Sequence, residues 1–227
     1  MGAVRSLSLT ALLLGGCLSA PEGGKDTPDD AGPGGMEDCI PIDFTEDFDE
    51  PDWQAARWGA SDSSEPGSLL AEGGRAVIAP SGAADDYGWF ATADSFDVEE
   101  RCVFVDVPIM FEYGEELDTE AFLGVYLGEH WISIGQSGGS LCCEHDLGEE
   151  SVVERCETDY SPGAHARWRL RFDGDGVACD TAPVDGAWTE YRRFAYDGPY
   201  TGWLELLGGT WDDVDEPGRV AFDNVNQ

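Results

Sequence analysis

The chain has 227 residues, 47 of them acidic and 12 basic, for a formal net charge of −35 at pH 7. That charge excludes nucleic acid as a partner and adsorption to anionic lipid, and it favours solubility, cation binding or a salty habitat. Aromatic residues make up 11%, with eight tryptophans, enough apolar surface to exclude disorder of the whole chain.

The chain opens MGAVRSLSLTALLLGGCLSA. Arg5 is the one charged side chain before the apolar run 7–14, which is too short to span a bilayer and has the length of a signal-peptide core. The run ends in Leu14-Gly15-Gly16-Cys17, which resembles the bacterial lipoprotein lipobox. The resemblance implies that residues 1–16 are removed as a signal peptide and that Cys17 is acylated, with membrane lipid as its partner. Each buried CH₂ of such an anchor contributes about 0.8 kcal/mol. Leu18 resembles the residue that sends lipoproteins to the outer membrane of a bacterium. A plain secretory signal, with Cys17 incidental, is the alternative. Residues 18–38 are rich in Gly, Pro and Asp and nearly free of large apolar side chains, so 17–38 read as the lipidated Cys and a flexible, disordered tether.

From Cys39 the texture changes, and 39–227 reads as one domain made of strands. CIPIDFTEDF (39–48) opens it. GSLLAEGGRAVIAP (67–80) is a hairpin whose Gly73-Gly74 pair suits a two-residue turn of positive φ. YGWFATA (87–93) and RCVFVDVPIMF (101–111) follow, the latter with Val103, Val105, Val107 and Ile109 on one face. Next come AFLGVYL (121–127), HWISIGQ (130–136), SLCCEH (140–145) and SVVERCE (151–157). In HARWRLRFDG (165–174), Ala166, Trp168, Leu170 and Phe172 alternate with Arg167, Arg169 and Arg171. GVACDTA (176–182) and GAWTEYRRFAY (186–196) flank a turn at 183–186, and GWLELLGG (202–209) and GRVAFDNVN (218–226) close the chain. A dozen short strands with Gly, Pro and Asp turns predict an all-β fold, a two-sheet antiparallel sandwich or a barrel.

With Cys17 lipidated, six cysteines remain: Cys39, Cys102, Cys142, Cys143, Cys156 and Cys179. An even number in an exported chain predicts up to three disulfides, with about 15 connectivities open. One of Cys142 and Cys143 can bridge to Cys156 across an acidic hairpin. Its neighbour must then look elsewhere, because adjacent strand residues face opposite ways.

Three segments together, DFTEDFDEPDWQAARWG (43–59), the block 165–188 and the closing GRVAFDNVN, resemble the concanavalin A-like lectin/glucanase superfamily. The resemblance covers 39–227. It implies a jelly roll of two antiparallel sheets, one of them curved with a concave face where ligands sit. It does not imply a function, because the fold hosts lectins, hydrolases and adhesive modules.

Glucanases of that superfamily carry Glu-[Ile/Leu/Val]-Asp-x-Glu on a concave strand, and ELDTE here matches it. The resemblance implies Glu116 as nucleophile, Glu120 as acid/base and Asp118 tuning both, with the two carboxyl groups about 5–5.5 Å apart. Against this, Thr119 takes the place of an apolar core residue and can be buried only if its hydroxyl is satisfied. Residues 112–121 fit a loop between two strands better than the middle of one. The catalytic assignment is therefore held as the alternative.

If Leu123, Val125 and Leu127 face the core, Phe122 and Tyr126 face out, and Trp131 faces out if Ile132 and Ile134 face in. Tyr126, Trp131 and Arg169 are the candidate carbohydrate-binding residues, on the expectation that the arginine stripe lines the same sheet. That stripe could serve an anionic glycan, but pairing with acids such as Asp106 or Glu154 is favoured. Asp223 resembles the closing-strand Asp that helps hold a structural calcium in related jelly rolls. The function expected is non-catalytic carbohydrate binding at the cell surface. The alternatives are a retaining β-glucanase and a structural surface lipoprotein with no small ligand.

Overall fold

A computed structural model describes residues 39–50, 52–53, 57–63, 68–112, 117–147 and 153–227. The expected signal peptide, Cys17 and the expected tether lie outside the described residues, as does Glu116.

The fold is a sandwich of two sheets, and the named elements are all strands. The first sheet runs, edge to edge, β14 (Thr189–Phe194), β13 (Gly176–Ala182), β12 (Arg167–Asp173), β7 (Arg101–Ile109), β16 (Val220–Asp223), β4 (Ala76–Ile78) and β3 (Leu69–Ala71). The short β1 (Ile40–Pro41) lies parallel to β7. The second runs β11 (Val153–Asp159), β10 (Ser140–Asp146), β9 (His130–Ser137), β8 (Thr119–Leu127), β15 (Thr201–Thr210), β5 (Asp86–Thr92) and β2 (Trp58–Ser63), with β6 (Phe96–Asp97) beside β15.

Period-two alternation builds the core. Val103, Val105 and Val107 of β7 and Trp168, Leu170 and Phe172 of β12 point inward from the first sheet. They meet Leu123, Val125 and Leu127 of β8, Ile132 and Ile134 of β9, and Leu204 and Leu206 of β15. Each such aliphatic or aromatic side chain, fully buried, contributes about 1.5–3 kcal/mol. An aromatic cluster joins this core: Phe48 and Trp53 meet edge to face at 4.8 Å, and Trp53 and Phe90 lie 5.3 Å apart.

The two chain ends of the domain are stitched together. Glu46 bridges Val225, and the Asn226 side chain donates to the Phe44 carbonyl and accepts from the Phe104 amide, both at 2.8 Å. The glycine turn between β3 and β4 forms as expected. Gly73 and Gly74 have φ of 62° and 70°, and the Glu72 amide donates to the Arg75 carbonyl across them. β2 has no counterpart among the strands expected from sequence. Its WGASDS is poor in β-branched residues, and pairing with β5 supplies what propensity does not.

Three disulfides lock the sandwich: Cys39–Cys102, Cys142–Cys156 and Cys143–Cys179. The adjacent cysteines do face opposite ways. Cys142 bridges within the β10–β11 hairpin, while Cys143 crosses the core to Cys179 on β13.

Candidate functional site on the second sheet

The outer face of the second sheet carries a cavity of about 150 Å³, with Glu120, Phe122, Gly124, Tyr126, Trp131 and Glu205 among its walls. The strand period places the first four there. Leu123, Val125 and Leu127 are buried between the sheets, so the even positions of β8 share the opposite face. Tyr126 pairs with Trp131 on β9 and with Trp203 on β15. The Tyr126 and Trp203 rings stack at 5.3 Å, within 6° of parallel. Three large rings thus stand in one row across three strands, next to a row in which Gly124 lies between Ser133 and Glu205.

The polar groups of this face are held in place. The Tyr126 hydroxyl donates to Glu205 Oε1 at 3.0 Å. Burial pushes the Glu205 carboxyl above its ordinary range, and the tyrosine's hydrogen bond partly opposes that shift. Burial, followed by Glu205, pushes the Tyr126 phenol up. Tyr87 behaves likewise: burial first, then the charge of Glu120 and a hydrogen bond to it, raise the phenol.

The expected residues divide between this face and other places. Tyr126 and Trp131 sit side by side in the cavity. Arg169 does not, and the expectation that the arginine stripe shares their sheet is corrected. β12 belongs to the first sheet, and Arg169 is 1% exposed. Its guanidinium is held by Asp180 at 2.7 Å, with Arg171 sharing the same carboxylate oxygen at 3.1 Å, and the Trp188 ring covers it at 4.4 Å. Arg167 pairs with Asp106 at 2.8 Å. The stripe is a structural ion-pair network, because a buried guanidinium without its carboxylate would strand an uncompensated charge.

The acidic triplet divides too. The stretch expected to be a loop is strand from Thr119 onward, and Glu120 lines the cavity. Thr119 is 0% exposed, and its hydroxyl donates to the Glu112 carbonyl at 3.0 Å, the satisfaction that burial demands. Asp118 precedes the strand, yet its carbonyl accepts from the Trp211 amide at 3.1 Å, so the pairing with the chain after β15 runs one residue further.

Asp223 lies at the end of β16 with Arg75 Nε 3.4 Å from one oxygen and the Asn224 amide 2.9 Å from the other. Arg75 brings a positive charge to the carboxylate, while the charge of Asp106 acts against it. Among the described residues one group of three could converge on an ion, Cys142, Glu144 and Cys156, and its two sulfurs are bonded to each other.

Sequence reading did not single out Tyr87, Gly124, Glu144, Trp203 or Glu205. The alternation in GWLELLGG carried a signal, since Trp203, Glu205 and Leu207 oppose the buried Leu204 and Leu206. The pairing of β15 with β8, which sets Trp203 against Tyr126 on a distant stretch of the chain, was not visible in it.

The layered sheets and the cavity on an open face define a concanavalin A-like jelly roll. Solved structures with this fold include an immunostimulatory antigen and pseudo β-1,3-glucanase of Mycobacterium tuberculosis, with TM-score 0.60 and 13% identity over 81% of this chain and 97% of that one. A β-1,3-glucanase from Mycobacterium marinum gives TM-score 0.57 and 15% identity over 82% and 97%. The Bacillus licheniformis β-glucanase gives 0.55 and 10% over 82% and 96%. At these identities the likeness is one of fold. No protein-family profile matches the chain, and no curated protein matches it in sequence.

Proposed function

We propose that this chain is an exported, lipid-anchored protein that binds carbohydrate on the outer face of its second sheet without cleaving it. The observation that carries the reading is the row of Trp131, Tyr126 and Trp203 beside a cavity walled by Glu120 and Glu205. Sugar rings present apolar C–H faces to aromatic side chains, while carboxylates accept from their hydroxyls. The cavity is smaller than the roughly 300–1,000 Å³ of sites that enclose a whole drug-sized ligand, which suits one ring of a longer chain. The three disulfides agree with an oxidising compartment. The β-glucanases among the fold neighbours add support of the analogical kind.

A panel of oligosaccharides and polysaccharides, titrated into the full chain, tests the reading. At least one is expected to bind, and Trp131→Ala is expected to weaken it by about tenfold or more, the loss of roughly 1.4 kcal/mol of ring contact. A panel with no binder sinks the proposal.

One observation favours a second reading, glycoside hydrolysis: Glu120 stands in the cavity on a central strand. Reducing ends released from a β-glucan by the parent chain, and absent in Glu120→Gln, would put that reading in place of the first.

A further inference from the structure

Among the described residues, the charged side chains of the cavity wall are all acidic. Glu120, Glu144 and Glu205 line it, and none of its described lining residues is lysine or arginine. The register explains how two of these carboxylates come to flank one space. Glu205 on β15 lies opposite Gly124 on β8, Gly124 opposite Ser133 on β9, and Ser133 opposite Glu144 on β10. One row across four neighbouring strands therefore reads Glu144, Ser133, Gly124, Glu205. At about 4.8 Å per strand the two glutamate backbones are about 14 Å apart, with only a serine and a glycine between them.

The glycine is not there for want of room. A Cβ at Gly124 would meet nothing closer than a Tyr126 ring carbon at 3.6 Å, an ordinary contact. Its missing side chain leaves the floor between the two glutamates open. Along β8 the next row on the same face is Trp131, Tyr126, Trp203. A ring resting on the aromatic row would extend its substituents over the carboxylate row.

We propose that the cavity takes a sugar unit that bears a free ammonium group, a 2-amino-2-deoxyhexose of a deacetylated glycan. The inference rests on the carbohydrate reading above and adds the charge of the ligand to it. An ammonium donates up to three hydrogen bonds, and those to carboxylates are roughly twice as strong as neutral ones. It also gains from the faces of Tyr126 and Trp131. A neutral sugar would gain no charge-assisted bond from the three carboxylates, and an anionic one would be repelled by them.

Calorimetric titration of the full chain tests this with three oligomers of equal length: glucosamine, N-acetylglucosamine and β-1,3-linked glucose. The glucosamine oligomer is expected to bind at least about tenfold tighter than the other two. Glu205→Gln, which keeps a partner for Tyr126, is expected to remove most of that difference, and Gly124→Leu, which fills the floor, to abolish binding. Equal affinity for charged and neutral oligomers overturns the inference and leaves the carbohydrate reading standing. Affinity for none of the three, together with silence across the wider panel, overturns both. Glucosamine binding that survives Gly124→Leu is attraction to the acidic surface as a whole and also overturns it. Thermal unfolding shows whether each variant is folded. Should one not fold, the other variant and the comparison of oligomers decide.

Discussion

Glu205 is kept at a disadvantage that the fold alone does not need. Burial raises its carboxyl above the unfolded value, so the folded chain disfavours the ionised form. The sign of the linkage follows. A raised carboxyl contributes stability that is present below its unfolded pKa, about 4.3 for glutamate, and lost as pH rises through the folded value. Glu205→Gln, neutral at every pH, is therefore expected to melt at a higher temperature than the parent at pH 7, and the gap should close as pH falls below about 4. A pH series of thermal scans checks this, and a variant that melts lower at pH 7 would show that the ionised carboxylate holds the fold together. In the proposed reading, the cost of that charge to the fold is offset when the ligand is bound. Arg169 is a buried charge too, its guanidinium pKa lowered by burial and held up in part by Asp180. Its alternation with Trp168 and Leu170 was legible in sequence, but the partner that accounts for it, Asp180, sits on the neighbouring strand.

β8 shows how far strand reading reaches. The inward set of Leu123, Val125 and Leu127 and the outward Tyr126 followed from spacing alone. The start of the strand did not, because Thr119 looked too polar for the core. The carbonyl that accepts its hydroxyl belongs to Glu112, seven residues earlier, and only the folded chain brings it there. Sheet membership was equally hidden: period two tells in from out, and strand order alone says that β12 and β8 lie in opposite layers. The layers are joined covalently at one point, between β10 and β13. Replacing Cys143 and Cys179 together by alanine reopens a loop of 36 residues, which in the chain-entropy account lowers stability by about 4 kcal/mol. Urea unfolding monitored by tryptophan fluorescence measures it, and a loss under about 1 kcal/mol would mean that packing alone holds the two layers.

For the molecule as a whole, the anchor and the charge act together. The proposed lipid on Cys17 would tie the domain to a membrane, while the acidic surface keeps it from adsorbing to anionic headgroups. Cys17→Ser is accordingly expected to release the protein from the membrane fraction into the soluble exported fraction, read by fractionation and immunoblot. A Cys17→Ser chain that still sediments with membranes would refute the anchor.

The neighbouring cysteines of β10 also pose a problem of assembly. Cys142 and Cys143 stand one residue apart, and each has a different correct mate. An oxidant that joined Cys143 to Cys156 would trap β10 turned over, with Glu144 facing inward and Leu141 in water. Making this protein in the oxidised state therefore calls for an isomerase that can undo the wrong bond. Air oxidation alone should leave a share of the chains scrambled.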